Sequence, residues 1–339
     1  MIKKKILNLA RLCLDAPLYK QTEEIFSTPL LRNVFFWGLA VRLFLVLQGQ
    51  LFAPDHVSYE DIDYTVISDG AWYLVHFSSP YDRLTFRYPP LLAWLMVPNI
   101  LLIRAAGKLI FITCDILVCL ITKEVVEVET GRPMSTALQV MALFNPLVLN
   151  SSTRGSFDII VSLVVMLAGY SAMKRQYALS ALFLGLGIHL KIYPFVFAVP
   201  LYFFVSRKRE ERNWLRAVCG RSMFARERLA FMLVAVGTVV ALTALFFVLN
   251  GWRFIEEAYL YHSTRVDPRH NFSMLYYHEY FNYEAMKMTG GAAYLQRSLA
   301  FLCQMGLIGA AGLLFFRDVF FALFVQAFLF VAYNRVLTA

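Results

Sequence analysis

From Leu229 to Leu249, 21 consecutive positions carry no Asp, Glu, Lys, Arg or His. A helix of that length matches the hydrocarbon thickness of a bilayer, whereas a soluble core rarely surrounds one on every side. The run has company: apolar stretches recur at 33–53, 107–124, 134–150, 155–173, 177–190, 192–206, 297–316 and 318–336. Several fall short of the ~20 residues that a full crossing takes, so the span boundaries are loose, and about nine transmembrane helices are predicted. With 59% hydrophobic and 16% charged residues and a mean hydropathy of +0.58, the balance is that of an all-α polytopic membrane protein.

The net charge of +9 invites a nucleic-acid reading, but the basic residues concentrate in the N-terminal arm and between Arg207 and Arg228. That pattern fits the excess of Lys and Arg on the cytosolic side of membrane proteins. Residues 1–32 are therefore read as a cytosolic arm and 207–228 as a basic cytosolic loop. Lys123, Arg132, Lys174, Arg175 and Arg317 fall on the same side. The cysteines at 13, 114, 119, 219 and 303 form no C-x-x-C pair, which implies neither a disulfide framework nor a zinc site. Arg11, Asp15 and Lys20 interrupt the apolar residues after Lys3, Lys4 and Lys5, so no cleavable signal peptide is expected. A further run, 90–106, opens with Pro89-Pro90 and contains Pro98-Asn99, and is read as interfacial or re-entrant. Segments 54–106, 150–155, 189–191 and 250–296 then share the far side of the membrane, and they hold nearly all the unusual polar residues. No internal repeat or soluble domain interrupts the pattern.

On that far side, Asp61 and Asp63 stand one residue apart within Tyr59-Glu60-Asp61-Ile62-Asp63-Tyr64. An extended backbone would point both to one face and Glu60 to the other, leaving Glu60 without a part. Convergent carboxylates can bind a divalent metal, hydrogen-bond sugar hydroxyls or supply a general base, and a solvated acidic loop is the alternative. Arg87 and Tyr88 lie in a loop where aromatics, cations and prolines alternate, suited to stacking on a sugar or holding phosphate, or simply to a membrane interface. Arg154 ends a polar turn, Ser151 to Gly155, that could offer a cation and backbone N–H groups to an anion. His189 and Lys191 interrupt apolar sequence ahead of Pro194, and Asp115 lies inside an apolar run with ion pairing to a neighbouring helix as its structural reading. The densest group is Arg265, Asp267, Arg269, His270 and Asn271: cations on the side where they are disfavoured call for an anion, and phosphate suits arginine.

A carboxylate pair, a cationic cluster and aromatic surfaces at a membrane edge suit group transfer from a lipid-linked phosphate donor. The residues carrying this pattern resemble the GPI mannosyltransferase 1 family in collinear order. They are Asp61-Ile62-Asp63-Tyr64; Ser79-Pro80-Tyr81; Arg87-Tyr88 with Pro90-Leu91-Leu92 and Trp94; Gly107-Lys108 with Asp115; Asn145-Pro146; Ser152-Thr153-Arg154-Gly155; His189 with Lys191-Ile192-Tyr193-Pro194; and Arg265 with Asp267 and Arg269-His270-Asn271-Phe272-Ser273.

The resemblance implies a GT-C glycosyltransferase fold forming a single transmembrane domain over 1–339, in the endoplasmic reticulum membrane, with 54–106 and 250–296 as luminal loops. It implies transfer of the first mannose of the glycosylphosphatidylinositol anchor, in α1,4 linkage, from dolichyl phosphate mannose to glucosaminyl-phosphatidylinositol with an acylated inositol. A β-linked donor and an α product mean one inverting displacement and one general base, Asp61 or Asp63, with Asp63 ahead. Arg87, Tyr88, Arg154, His189, Lys191, Arg265, Arg269, His270 and Asn271 are then the residues expected to hold substrate and donor phosphate. Cations on the phosphate can stand in for a divalent metal, so metal-free chemistry is expected, with a divalent ion as the alternative. A small accessory membrane subunit is a further implied partner. The chain ends at Asn334-Arg335-Val336-Leu337-Thr338-Ala339, where relatives continue, which implies a shortened C-terminus. Two other readings are a sister GT-C mannosyltransferase with another lipid or protein acceptor, and a transporter or scramblase using Asp115, Asp158 and Lys191 as a relay.

Overall fold

The computed structural model describes residues 29–52, 59–205, 221–264, 276–281 and 290–333, and among these every regular element is helical. Two helices, Val34–Phe52 and Arg226–Asn250, are long and apolar enough to cross a membrane by themselves, or three if the consecutive helices Pro146–Arg154 and Asp158–Met173 count as one broken span. Run 107–124 lies within the 25-residue helix Ala106–Thr130, and other runs form shorter apolar helices, among them Tyr177–Leu190, Tyr193–Phe204, Phe301–Phe315 and Val319–Ala332. Run 90–106 divides into Pro90–Leu95 and Val97–Leu101, because Pro98 cannot donate to the preceding turn. Run 134–150 divides likewise, into Thr136–Leu143 and Pro146–Arg154. There Asn145 caps the second helix, accepting the Leu147 N–H at 3.0 Å, and Pro146 takes its first position.

The chain forms two compact units, residues 1–64 with 104–160 and residues 65–103 with 161–339. In the first, the helices Pro29–Phe52, Ala106–Thr130 and Pro146–Arg154 pack on one another, with Phe35, Cys119, Leu120 and Leu143 in one core. Inside that packing Arg42 donates from Nε to Asp115 at 2.7 Å, and both side chains are fully buried. Arg42 also donates to the Gly38 carbonyl at 2.9 Å. Asp115 is thus ion-paired with a neighbouring helix, as its structural reading expects.

In the second unit, Tyr177–Leu190 lies along Arg226–Asn250, so closely at Gly185 that a methyl group there would sit 2.5 Å from the Ala235 carbonyl. Ala198–Phe204 packs against Gly290–Phe315 and Val319–Tyr333 over a core that includes Leu184, Phe197, Leu201, Phe231 and Leu323. Arg228, also fully buried, donates to the carbonyls of Phe203 at 3.1 Å and Val205 at 3.0 Å. These are end carbonyls that the helix Ala198–Phe204 leaves without an internal donor, and a cation suits that negative end. A separate aromatic cluster joins Val66, Tyr81, Phe86, Ala93, Phe246, Phe254 and Ala258.

Candidate active site

In the first unit the acidic segment is the start of a helix and not an extended strand. Asp61 precedes the helix Ile62–Val75, accepts the Asp63 N–H on its carboxylate at 3.2 Å and accepts the Tyr64 N–H on its carbonyl at 3.0 Å. It therefore serves as the helix cap, while Asp63 lies in the first turn, where the helix dipole favours a carboxylate. Both are half-buried, and Ile62 between them is exposed.

Glu60, for which the extended reading leaves no part, is the best-held carboxylate of the segment. It is buried and takes Arg104 Nη2 at 2.8 Å, Gln50 Nε2 at 3.4 Å and Lys108 Nζ at 3.6 Å. Lys108, fully buried at the start of Ala106–Thr130, also donates to the Tyr59 carbonyl at 3.0 Å and lies against the rings of Tyr59 and Tyr64. A buried ammonium needs such a counter-ion, and here the counter-ion is the residue next to Asp61.

Arg154 closes the helix Pro146–Arg154 instead of sitting in an open turn: residues 151–154 are helical, and Gly155 ends the helix with φ +96. Its carbonyl accepts the Asp61 N–H at 2.9 Å, and its guanidinium donates to the Glu60 carbonyl at 3.3 Å. Arg154 thus grips the acidic segment by its backbone.

Two aromatic side chains flank the carboxylates, each seated on a glycine. Tyr59 covers Gly49 and hydrogen-bonds Thr153 Oγ1 at 2.8 Å; Tyr64 covers Gly155 and donates to the Arg104 carbonyl at 2.6 Å. A Cβ at Gly155 would meet the Tyr64 ring at 2.5 Å, and the positive φ disfavours any side chain there. Gly155→Val is expected to destabilise the protein by about 2 kcal/mol or more through backbone strain and ring displacement. Thermal melting in detergent checks this, and wild-type melting would refute the seating.

In the second unit Arg87 forms an ion pair with Glu257 and lies 4.2 Å from the centre of the Tyr261 ring, while its carbonyl meets His262 Nε2 at 3.3 Å. Tyr88 accepts the Tyr81 hydroxyl on its carbonyl at 2.8 Å and packs its ring against Phe86. Burial pushes the Tyr81 phenol well above its ordinary value. Lys191 terminates Tyr177–Leu190 with its amine 5.9 Å from the Tyr193 ring centre. His189, in the last turn of that helix, is fully buried, its ring stacked on Phe246 and its Nδ1 3.0 Å from the Tyr259 hydroxyl. Arg265, Arg269, His270 and Asn271 lie outside the described residues. Among the described residues no three His, Cys, Asp or Glu side chains gather as a metal site.

An acidic segment that caps a helix and is held by Arg154, Arg104 and the buried Lys108, in a helical membrane protein, is the setting in which the comparisons with known proteins gain meaning. The family model for mannosyltransferase (PIG-M) matches residues 151–339. GPI mannosyltransferase 1 of Dictyostelium discoideum is 35% identical over 328 residues, covering 91% of this chain and 74% of that protein. The chain belongs to the GPI mannosyltransferase 1 family. GPI mannosyltransferase 1 of Saccharomyces cerevisiae is 34% identical, covering 89% of this chain and 76% of its own length. The protein named GPI alpha-1,4-mannosyltransferase I, catalytic subunit, of Danio rerio is 35% identical, covering 84% and 70%. Sequence reasoning set Glu60 aside and passed over Arg104, Glu257 and Tyr259, whose partners the fold supplies. Lys108 had its signal in the Gly107-Lys108 pair. The others are ordinary polar residues until the fold supplies their partners.

Proposed function

We propose that the chain transfers the first mannose of the GPI anchor, in α1,4 linkage, from dolichyl phosphate mannose to glucosaminyl-phosphatidylinositol. Membership of a family whose members carry that activity in their names supports the reaction class. The observation that carries the chemistry is the Asp61/Asp63 segment, held by Arg154, Glu60, Lys108 and two glycine-seated tyrosines. Rigid placement of a base is worth more than its presence, since a misplaced carboxylate loses most of its advantage.

Asp61 caps the helix and Asp63 stands half-buried in its first turn, and Asp63 is the residue assigned as the base. In the proposed step Asp63 takes the proton from the attacking 4-hydroxyl of glucosamine. The oxygen forms its bond to the anomeric carbon as the bond from that carbon to the donor phosphate breaks, with inversion. The phosphate departs with the electron pair, and Arg87, Arg154, His189, Lys191, Arg265, Arg269, His270 and Asn271 are the polar groups proposed to stabilise it and the sugar, with Tyr88 as a stacking surface. Arg87 would exchange its Glu257 partner for phosphate. The finer topology, about nine spans in the endoplasmic reticulum membrane with luminal chemistry and a small accessory subunit, belongs to the same proposal. Cells lacking their first GPI mannosyltransferase provide the test: expression of this chain together with the accessory subunit is expected to restore surface GPI-anchored proteins. Absence of rescue despite expression would count against the reaction.

A further inference from the structure

Tyr259 lies in a short π-helical turn, Glu256–Leu260, inserted between the helices Trp252–Ile255 and Tyr261–Thr264. Such turns are rare and concentrate where a side chain must be re-aimed. This one directs Glu257 to Arg87 and Tyr259 to His189. The imidazole of His189 is enclosed by Phe246 and Phe254, and its Nε2 is buried with no hydrogen-bond partner among the described residues. A buried polar atom left so costs stability unless something bonds to it at another stage of the working cycle.

The distances around Tyr259 favour one form of the imidazole. The Tyr259 phenol carries one proton, and burial pushes it above its ordinary value, so that proton is there to be donated. The nearer acceptor is His189 Nδ1 at 3.0 Å; the His189 carbonyl is at 3.4 Å. An imidazole that accepts at Nδ1 carries its proton on Nε2. We infer that Tyr259 is a positioning residue that holds His189 with its Nε2–H ready to donate to an oxygen of the lipid-linked sugar phosphate. The inference rests on the mannose-transfer reading and adds to it the atom through which His189 acts and the residue that sets it.

The test measures mannose transfer by the full chain together with its accessory subunit in detergent, with dolichyl phosphate mannose and glucosaminyl-phosphatidylinositol as substrates and rates expressed per folded molecule from size-exclusion profiles. The amide nitrogen of glutamine reaches the position of Nε2, and that of asparagine reaches Nδ1. His189→Ala is expected to lower kcat about a hundredfold. His189→Gln recovers about tenfold of that loss, and His189→Asn recovers none of it. Tyr259→Phe lowers kcat about tenfold with the acceptor KM unchanged, and adds nothing in the His189→Ala background. His189→Gln no better than His189→Asn, Tyr259→Phe at wild-type kcat, or a further loss in the double variant would each overturn the inference while leaving mannose transfer intact. A wild-type chain that folds but transfers no mannose overturns the reading beneath it as well.

Discussion

Asp63→Asn is expected to lower mannose transfer by about a thousandfold or more with little change in the amount of folded protein, since a positioned general base contributes on that order. The substitution keeps the size of the side chain while removing its charge and basicity and turning one acceptor oxygen into an N–H donor. Asp61→Asn serves as the internal control. Asparagine caps helices about as well as aspartate, so the contact to the Asp63 N–H survives. If Asp61 acts mainly as the cap, its asparagine variant keeps activity within about tenfold of wild type, whereas Asp61→Ala loses the cap at about 1 kcal/mol and disorders the base as well. Equal and complete loss in both asparagine variants would assign the base to the pair. Full activity in both would remove the segment from the chemistry.

The largest expected effect on stability lies elsewhere in the same unit. Asp115→Ala leaves the Arg42 guanidinium fully buried without its carboxylate, and breaking a buried pair from one side costs about 3–5 kcal/mol. Arg42 Nη2 and Asp115 Oδ1 already lack hydrogen-bond partners among the described residues, so the pair is incompletely satisfied even when intact. Replacing both together, Arg42→Met with Asp115→Leu, is therefore expected to restore melting temperature to near the wild-type value. Yield and melting of the detergent-extracted protein distinguish the cases. A single variant as stable as wild type would mean that the two charges do not depend on each other.

Much of this was legible in order of how local the signal is. The uncharged run from Leu229 to Leu249 is a helix, Arg226–Asn250, because length and hydropathy alone decide it. Runs 90–106 and 134–150 became broken helices where Pro98 and Pro146 interrupt them, and a hydropathy window averages over such breaks. Asp61 and Asp63 stood out by composition, but a two-residue spacing does not distinguish a strand from a helix start; the cue lay in an aspartate directly before an apolar helical stretch, which is a cap signal. Glu60 shows the opposite case. Its partners Arg104 and Lys108 lie more than forty positions away in sequence, so nothing local marks it as the counter-ion of a buried lysine. His189 was visible as an ionisable residue in apolar sequence, yet Tyr259, 70 positions further along, could be matched to it only through the fold.

The central claim is that this chain itself forms the mannosyl bond. Incubating the purified protein, with its accessory subunit, with labelled dolichyl phosphate mannose and glucosaminyl-phosphatidylinositol tests it directly. The predicted result is a single monomannosylated lipid whose label is released by an α-mannosidase and whose formation disappears in Asp63→Asn. Folded wild-type protein that yields no such lipid, or yields it equally well as Asp63→Asn, would contradict the account.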